Sequence, residues 1–194
     1  VVPLVPRRVD DAELVRALLA RSPWAGEELV RRYGPDVQRV LARILGPSNE
    51  LSDLAHDCML RALGALRDLR EPDRLRSWLV GIAVRVAREH LRQKRRRPIP
   101  VDDVPDHGVA EDPEGREALQ RVFALLSELP DEERIAFALR FVDGMELKDV
   151  AAATEVSLAT AKRRLARATE LFVPRAKADP ILGPRMGAGR WMDR

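Results

Sequence analysis

The sequence predicts an all-α protein: two small helical domains joined by an acidic, flexible linker. Aromatic residues make up only 4% of its 194 residues. Leucine, alanine and arginine recur throughout, a balance that suits packed helices better than a sheet of β-branched and aromatic side chains. Apolar residues repeat at helical rather than strand spacing in one segment after another. Between two such groups lies a stretch with Pro98, Pro100, Pro105 and Pro113 set among acids, a composition that does not build a packed core.

Taken in order, Asp10 and Asp11 precede Leu14, Val15, Leu18 and Leu19, which predicts a short first helix with a side-chain cap in front. Ser22 followed by Pro23 predicts a cap and a first-turn proline for the second helix. Its apolar residues Trp24, Leu29, Val30, Val37, Val40, Leu41, Ile44 and Leu45 run to a stop at Gly46-Pro47. Gly34-Pro35 predicts a kink or break inside it. The third helix has the cleanest pattern: Leu51, Leu54, Ala55, Cys58, Met59, Ala62, Leu63 and Leu66 fall every three to four residues. After a turn at residues 67 to 72, a fourth helix repeats it with Leu75, Trp78, Leu79, Ile82, Ala83, Val86, Ala87 and His90, and ends in the basic cluster from Arg92 to Arg97.

Beyond the linker, Leu119, Val122, Phe123 and Leu126 open the second domain; its next helix follows Pro130 and is stopped by Gly144. Two short helices, 147 to 154 and 158 to about 172, flank a turn at residues 155 to 157, the layout of a helix-turn-helix. Prolines and glycines after Val173 predict a loose tail. The expected divisions are therefore 10–97 and 116–172 for the domains, 98–115 for the linker and 173–194 for the tail. Each domain is small enough that folding leaves a thin margin.

The net charge of +3 conceals a sorting along the chain. From Arg74 to Arg97 nine basic residues face a single acid, Glu89; from Pro98 to Gly115 there are six acids and no lysine or arginine; from Leu158 to Lys177 six basic residues face only Glu170. Two basic surfaces separated by an acidic strap suit two contacts with a polyanion, because neutralising phosphates supplies most non-specific affinity for DNA.

Several classes are disfavoured. Cys58 is the only cysteine, so no internal disulfide or cysteine-rich zinc site can form. It sits on a buried stripe, which argues against a reactive thiol. His56-Asp57 invites comparison with a metal site, but the other histidines, His90 and His107, lie in a basic helix and the linker, and no HExxH, P-loop or GxSxG occurs. The reading is therefore not an enzyme, with no cofactor and no metal. No apolar run approaches the roughly 20 residues that cross a bilayer, and the start, with Pro3 and Pro6, lacks the apolar core of a signal peptide. The expected location is the cytoplasm.

Five blocks, in order and at matching spacing over roughly residues 12 to 172, carry a resemblance. They are DLAHDCMLRA from Asp53 to Ala62, LRSWLVGIA from Leu75 to Ala83, LPDEER from Leu129 to Arg134, DVA from Asp149 to Ala151, and VSLATAKRRLARA from Val156 to Ala168. Together they resemble the extracytoplasmic-function (ECF) sigma factors of the bacterial sigma-70 superfamily. The resemblance implies that the first domain is sigma region 2 and the second sigma region 4. It further implies that the chain binds core RNA polymerase, through the beta-prime clamp and the beta flap, and directs it to promoter DNA.

Within that resemblance, region 2 docks on the clamp through the outer face of its third helix, here Asp53, His56, Asp57, Leu60 and Arg61. The periodicity agrees, since these residues lie opposite the core stripe and include a leucine with no intramolecular reason to be there. The turn from Asp68 to Asp73 and the start of the fourth helix are where similar proteins melt the minus-10 element and hold a flipped base. Arg70, Asp73, Arg76, Arg85, Arg88 and Arg92 are the minus-10 candidates, with 85, 88 and 92 on one helical face. The helix from Leu158 to Phe172 would lie in the major groove of the minus-35 element. Ala161, Leu165, Ala168 and Phe172 would face inward, leaving Thr160, Lys162, Arg163, Arg164 and Arg167 toward DNA. The acidic linker would thread the polymerase channel later used by nascent RNA, and a dedicated anti-sigma protein would hold the factor inactive.

Four positions depart from the pattern. Arg85 stands where asparagine is usual and Asp57 where glutamate is common. Glu155 replaces the expected glycine of the turn, which either strains a left-handed residue or changes the turn type. Glu146 takes a capping position where serine or threonine is usual. The rival reading is a two-domain helix-turn-helix repressor or activator that never binds polymerase. It requires a ligand pocket or dimer interface in the first domain, and the sequence suggests neither.

Overall fold

A computed structural model of the chain describes residues 9–96 and 113–186; most of the acidic linker, Arg97 and the end of the tail with Trp191 lie outside these. Among the described residues there are helices and turns and no strand. The first unit comprises α1 (Asp11–Leu19), α2 (Ala25–Leu45), α3 (Leu51–Gly64) and α4 (Leu75–Arg96). The second comprises α5 (Pro113–Ser127), α6 (Asp131–Phe137), α7 (Leu147–Ala153), α8 (Leu158–Ala178) and a last turn, α9 (Gly183–Met186).

The first unit begins as its sequence predicts. The Asp10 carboxylate accepts a hydrogen bond from the Glu13 amide at 2.7 Å, closing the N-terminus of α1. A polar cluster then fastens α1 to α2. Arg32 meets Asp11 at 3.1 Å and Glu28 at 2.8 Å, it donates to the Val9 carbonyl, and the Tyr33 hydroxyl donates to Asp11. Glu28 is buried, yet hydrogen bonding from Arg31 and then Arg32 keeps its carboxyl below the usual range despite the opposing pull of burial.

Helix α2 departs from the sequence reading in two ways. It starts at Ala25 without a side-chain cap, because Arg21 takes a left-handed turn (φ 55°) and the Ser22 carbonyl accepts from the Ala25 amide. It also runs unbroken through Pro35. The apolar face of residues 29 to 44 is buried along its whole length, and that packing outweighs the hydrogen bond the proline removes. Its end is as expected: Gly46 has φ 84°, a conformation that costs glycine little.

The two units do not sit apart at the ends of a tether. One apolar core contains Leu41, Ile44, Leu79, Ile82 and Val86 of the first unit together with Ile135, Leu139, Val150 and Leu165 of the second. Helix α4 is the shared wall. It packs on α2 and α3 and, by another flank, on α6 and α7, which is why Val80, Val84 and Leu91 are buried in addition to the predicted stripe. Arg134, only 8% exposed, reaches across to donate to the carbonyls of Ile44 and Leu45 at 2.7 and 2.9 Å. These are acceptors that the end of α2 leaves without helical partners. Burial lowers the Arg134 pKa to about 10, still high enough to keep it charged at neutral pH.

A second, smaller core holds the far end of the second unit. It joins Val122, Leu126, Leu129 and Phe137 to Phe172, Ala176 and Leu182. The expectation of a loose tail from Val173 therefore needs correction for its first part. Helix α8 continues through Pro174 to Ala178, and the Asp179 carboxylate accepts from the amides of Ile181 and Leu182 to turn the chain back. The glycines and prolines obscured an apolar anchor, Leu182, which is buried in this core. After α6 the backbone makes one π-helical turn over Ala138–Val142 before Gly144 stops it.

Candidate nucleic-acid interface and protein-docking face

The outer face of α3 is built by the helical period itself. Cys58, Met59 and Ala62 turn inward and are buried, and burial pushes the Cys58 thiol up to about 12, leaving it inert. On the opposite side Asp53 and His56 are exposed and Leu60 is 55% exposed. Asp57 pairs with Arg61 at 2.9 Å one turn on, and Arg61 also meets Glu89 of α4 at 2.8 Å. Leu63, assigned to the core from its spacing, is 43% exposed. It falls seven residues after His56 and three after Leu60, so it extends the outer face and doubles its apolar content.

The minus-10 candidates divide into two groups. Arg70, Asp73 and Arg92 are exposed; Arg70 lies between the two short 3-10 turns that join α3 to α4, and Asp73 lies in the second of them. Arg76 is bound to Asp36 of α2 at 2.6 Å. Arg85 and Arg88 both end on acids of the second unit, Arg85 while still about half exposed and Arg88 while largely covered. Arg85 reaches Glu155 at 2.5 Å, and Arg88 grips Glu132 with two nitrogens, at 2.6 and 3.2 Å. Both acids belong to the second unit, as does Asp131, which Arg95 meets at 3.0 Å. These acidic partners were not foreseen; the only sequence signal was the run Asp131-Glu132-Glu133, which reads equally well as a favourable first helical turn.

In the second unit α7 and α8 flank the turn as predicted. The Ser157 hydroxyl accepts from the Thr160 amide at 3.2 Å, a regular N-cap for α8. Glu146 occupies the cap of α7 without any side-chain hydrogen bond. Glu155 keeps the backbone conformation a glycine would take, with φ 58°, so the turn type survives at the cost of a left-handed glutamate. Ala161, Leu165, Ala168 and Phe172 face inward as the period requires.

Lys162, Arg163 and Arg167 are exposed and Thr160 is half-buried. Arg164 is the correction here. It turns back toward α6, and its Nη1 lies 2.8 Å from Glu132 Oε2, within ion-pair reach but off the hydrogen-bonding direction. Arg167 is 3.7 Å from Glu133, and Lys162 and Arg163 make no ion pair among the described residues.

A helical unit with an exposed apolar ridge beside an arginine-rich helix, followed by a helix-turn-helix with a basic second helix, is the architecture of a DNA-binding transcription protein. Comparison with known proteins narrows the class. Residues 29–97 match sigma-70 region 2 and residues 119–170 match sigma-70 region 4. The chain is 30% identical over 179 residues to the ECF RNA polymerase sigma-E factor of Escherichia coli, covering 84% of this chain and 92% of that one. It is 29% identical over 180 residues to the ECF RNA polymerase sigma factor SigC of Mycobacterium tuberculosis, covering 90% and 97%. The RNA polymerase sigma-H factor of Pseudomonas aeruginosa is 27% identical over 175 residues, covering 82% and 90%. The fold is also that of CnrH, solved in complex with the cytosolic domain of CnrY, with a TM-score of 0.64 at 24% identity over 88% of this chain and 98% of that one. The chain belongs to the ECF sigma factors of the sigma-70 family. It acts as an alternative sigma factor in transcription initiation. No helix among the described residues is long and apolar enough to cross a membrane.

Proposed function

We propose that the outer face of α3 seats the chain on the beta-prime clamp of core RNA polymerase, that the second unit reaches the beta flap, and that each unit then contributes one arginine-bearing surface to promoter DNA. One observation carries this reading: Leu60 and Leu63 stand exposed on the same face as Asp53 and His56, directly behind a fully packed stripe. Two neighbouring leucines with polar surroundings are a protein-docking feature rather than part of the core.

On the DNA side, Arg70 and Asp73 in the turn before α4, with Arg76, Arg85, Arg88 and Arg92, serve the minus-10 element. Thr160, Lys162, Arg163, Arg164 and Arg167 serve the minus-35 element. Binding and positioning are the whole of the chain's contribution, with the chemistry left to the polymerase, and its place of work is the cytoplasm. A dedicated anti-sigma protein restrains it; CnrH in complex with a cytosolic domain of another protein supports such a partner for a chain of this fold.

Arg163 provides the test on the DNA side, because it is exposed and makes no ion pair whose loss would confuse the result. If it reads a base edge, Arg163→Ala in the holoenzyme will weaken binding to the cognate promoter by about 1–3 kcal/mol and leave a scrambled duplex little affected. Equal weakening on both duplexes, with a shallower salt dependence, identifies a phosphate contact instead.

A further inference from the structure

The loop that carries Arg70 and Asp73 has little structure of its own. It joins α3 to α4 through two 3-10 turns, Leu66–Asp68 and Pro72–Arg74. Local bonds close them, the Leu69 amide donating to the Leu66 carbonyl and the Arg74 amide to that of Glu71. Asp68, Arg70, Glu71 and Asp73 are exposed, whereas Leu66 is buried and Leu69 half-buried. A segment held by so few local bonds takes its shape from what lies beneath it. Here that is α1, which packs against both 3-10 turns as well as against α2.

Helix α1 is nine residues long, too short to be stable by itself, so its neighbours set its position. Leu14 and Val15 are buried, but apolar burial is non-directional and leaves rotation and register open. Polar contacts supply the direction. Arg32 of α2 places Nη1 3.1 Å from the Asp11 carboxylate, and Nη2 2.7 Å from the Val9 carbonyl and 2.8 Å from Glu28. The Tyr33 hydroxyl donates to the same Asp11 oxygen. Burial, and then the Asp11 carboxylate, push that hydroxyl up to about 12, so it stays a donor at physiological pH. One turn further along α2, Asp36 accepts from Arg76 in the first turn of α4 at 2.6 Å. The floor of the loop and its exit into α4 are thus both keyed to one short stretch of α2, residues 32 to 36.

We propose that Arg32 and Tyr33 are positioning residues for promoter opening: through Asp11 they hold α1 as the floor of the loop from Leu66 to Arg74, and so fix the shape this loop presents to an unstacked minus-10 base. The inference rests on the assignment of that loop to the minus-10 element made above. Neither residue touches the base in this account; each acts through α1. Unstacked bases are held by stacking and by hydrogen bonds to their edges, which a loop free to shift on its floor offers less often.

The test pairs Arg32→Gln with Tyr33→Phe. The double variant keeps the buried ring, and Glu28 keeps Arg31 as its partner at 2.7 Å, so no buried carboxylate is left unpaired. Hydrogen exchange on the full chain comes first. Peptides covering residues 65 to 74 will exchange roughly tenfold faster in the variant, while peptides from the middle of α3 and α4 will change little. Val40→Ala, a core substitution two turns along α2, is the control for lost stability, and it will not single out the loop. In the second measurement, holoenzyme binds the single-stranded non-template segment of a promoter it transcribes, intact or with one minus-10 base removed. The parent will prefer the intact strand. The double variant will bind it roughly fivefold to tenfold more weakly and bind the abasic strand as the parent does, whereas Val40→Ala holoenzyme will keep the preference.

Unchanged exchange in the loop overturns the proposal, as does faster exchange spread evenly over the first unit. Equal weakening on both strands overturns it too, because the anchor then serves the fold and not the base. A parent holoenzyme that does not distinguish the strands removes the minus-10 assignment itself. Exchange in the free chain, which needs neither polymerase nor DNA, still decides in that case whether Arg32 and Tyr33 hold the loop.

Discussion

Leu139→Ala will destabilise the chain by about 2–5 kcal/mol, the usual cost of deleting a fully buried leucine and leaving a cavity behind it. For a protein of this length that corresponds to roughly 2–4 °C in melting temperature per kcal/mol. The informative part is where the loss is felt. Leu139 belongs to the second unit, in the π-helical turn after α6, yet it sits in the apolar core that also contains Leu41, Leu79 and Ile82. Trp24 and Trp78 both belong to the first unit and pack against that core. In a Trp191→Phe background, tryptophan fluorescence therefore reports the first unit alone. Its unfolding midpoint will fall together with the midpoint of total helicity. A fluorescence midpoint that stays put while helicity shifts means the units melt independently and the shared core is not cooperative.

Leu60→Asp will weaken binding to core RNA polymerase by a factor on the order of 30 or more, the scale of an apolar hot spot replaced by a charge. Far-UV helicity and melting temperature will change little, because the side chain is more than half exposed. The same substitution at Met59, one position along, would introduce a charge into the core. On the proposed reading, the contrast between neighbouring positions separates a docking role for the outer face of α3 from a structural one. Loss of helicity in Leu60→Asp, or unchanged polymerase binding with helicity intact, contradicts this assignment.

The elements legible in the sequence are those whose signal is local. The stripe of α4 from Leu75 to Ala87, the inward set Ala161, Leu165, Ala168 and Phe172, and the stops at Gly46 and Gly144 each follow from periodicity or backbone freedom within a few residues. Leu63 has core spacing yet stays exposed because α3 ends one residue later, at Gly64, and the last turn of a helix need not have a neighbour to bury it. Pro35 predicts an interruption because the penalty of a proline is local, whereas the packing that overrides it comes from other helices. Leu182 was lost among tail residues because a single anchoring leucine has no period.

The contact between the units was illegible for a different reason. Arg88–Glu132 and Arg85–Glu155 join residues 44 and 70 positions apart, and nothing in a charge count distinguishes an arginine waiting for phosphate from one already holding a glutamate. Composition correctly marked α4 and α8 as basic, but their surroundings decide which charges remain available. Arg134 illustrates this most sharply. The LPDEER block identified the segment by resemblance, but that its guanidinium would bind the end of α2 was not written in either segment alone.

Run-off transcription with purified core polymerase is the most direct measurement. On promoters drawn from the organism's own genome, the chain together with core enzyme will give discrete transcripts, and each component alone will give none. Leu60→Asp will abolish them through loss of core binding, and Arg163→Ala will weaken them promoter by promoter. A chain that fails to bind core enzyme yet protects DNA by itself as a stable dimer contradicts the sigma-factor assignment and restores the repressor in its place.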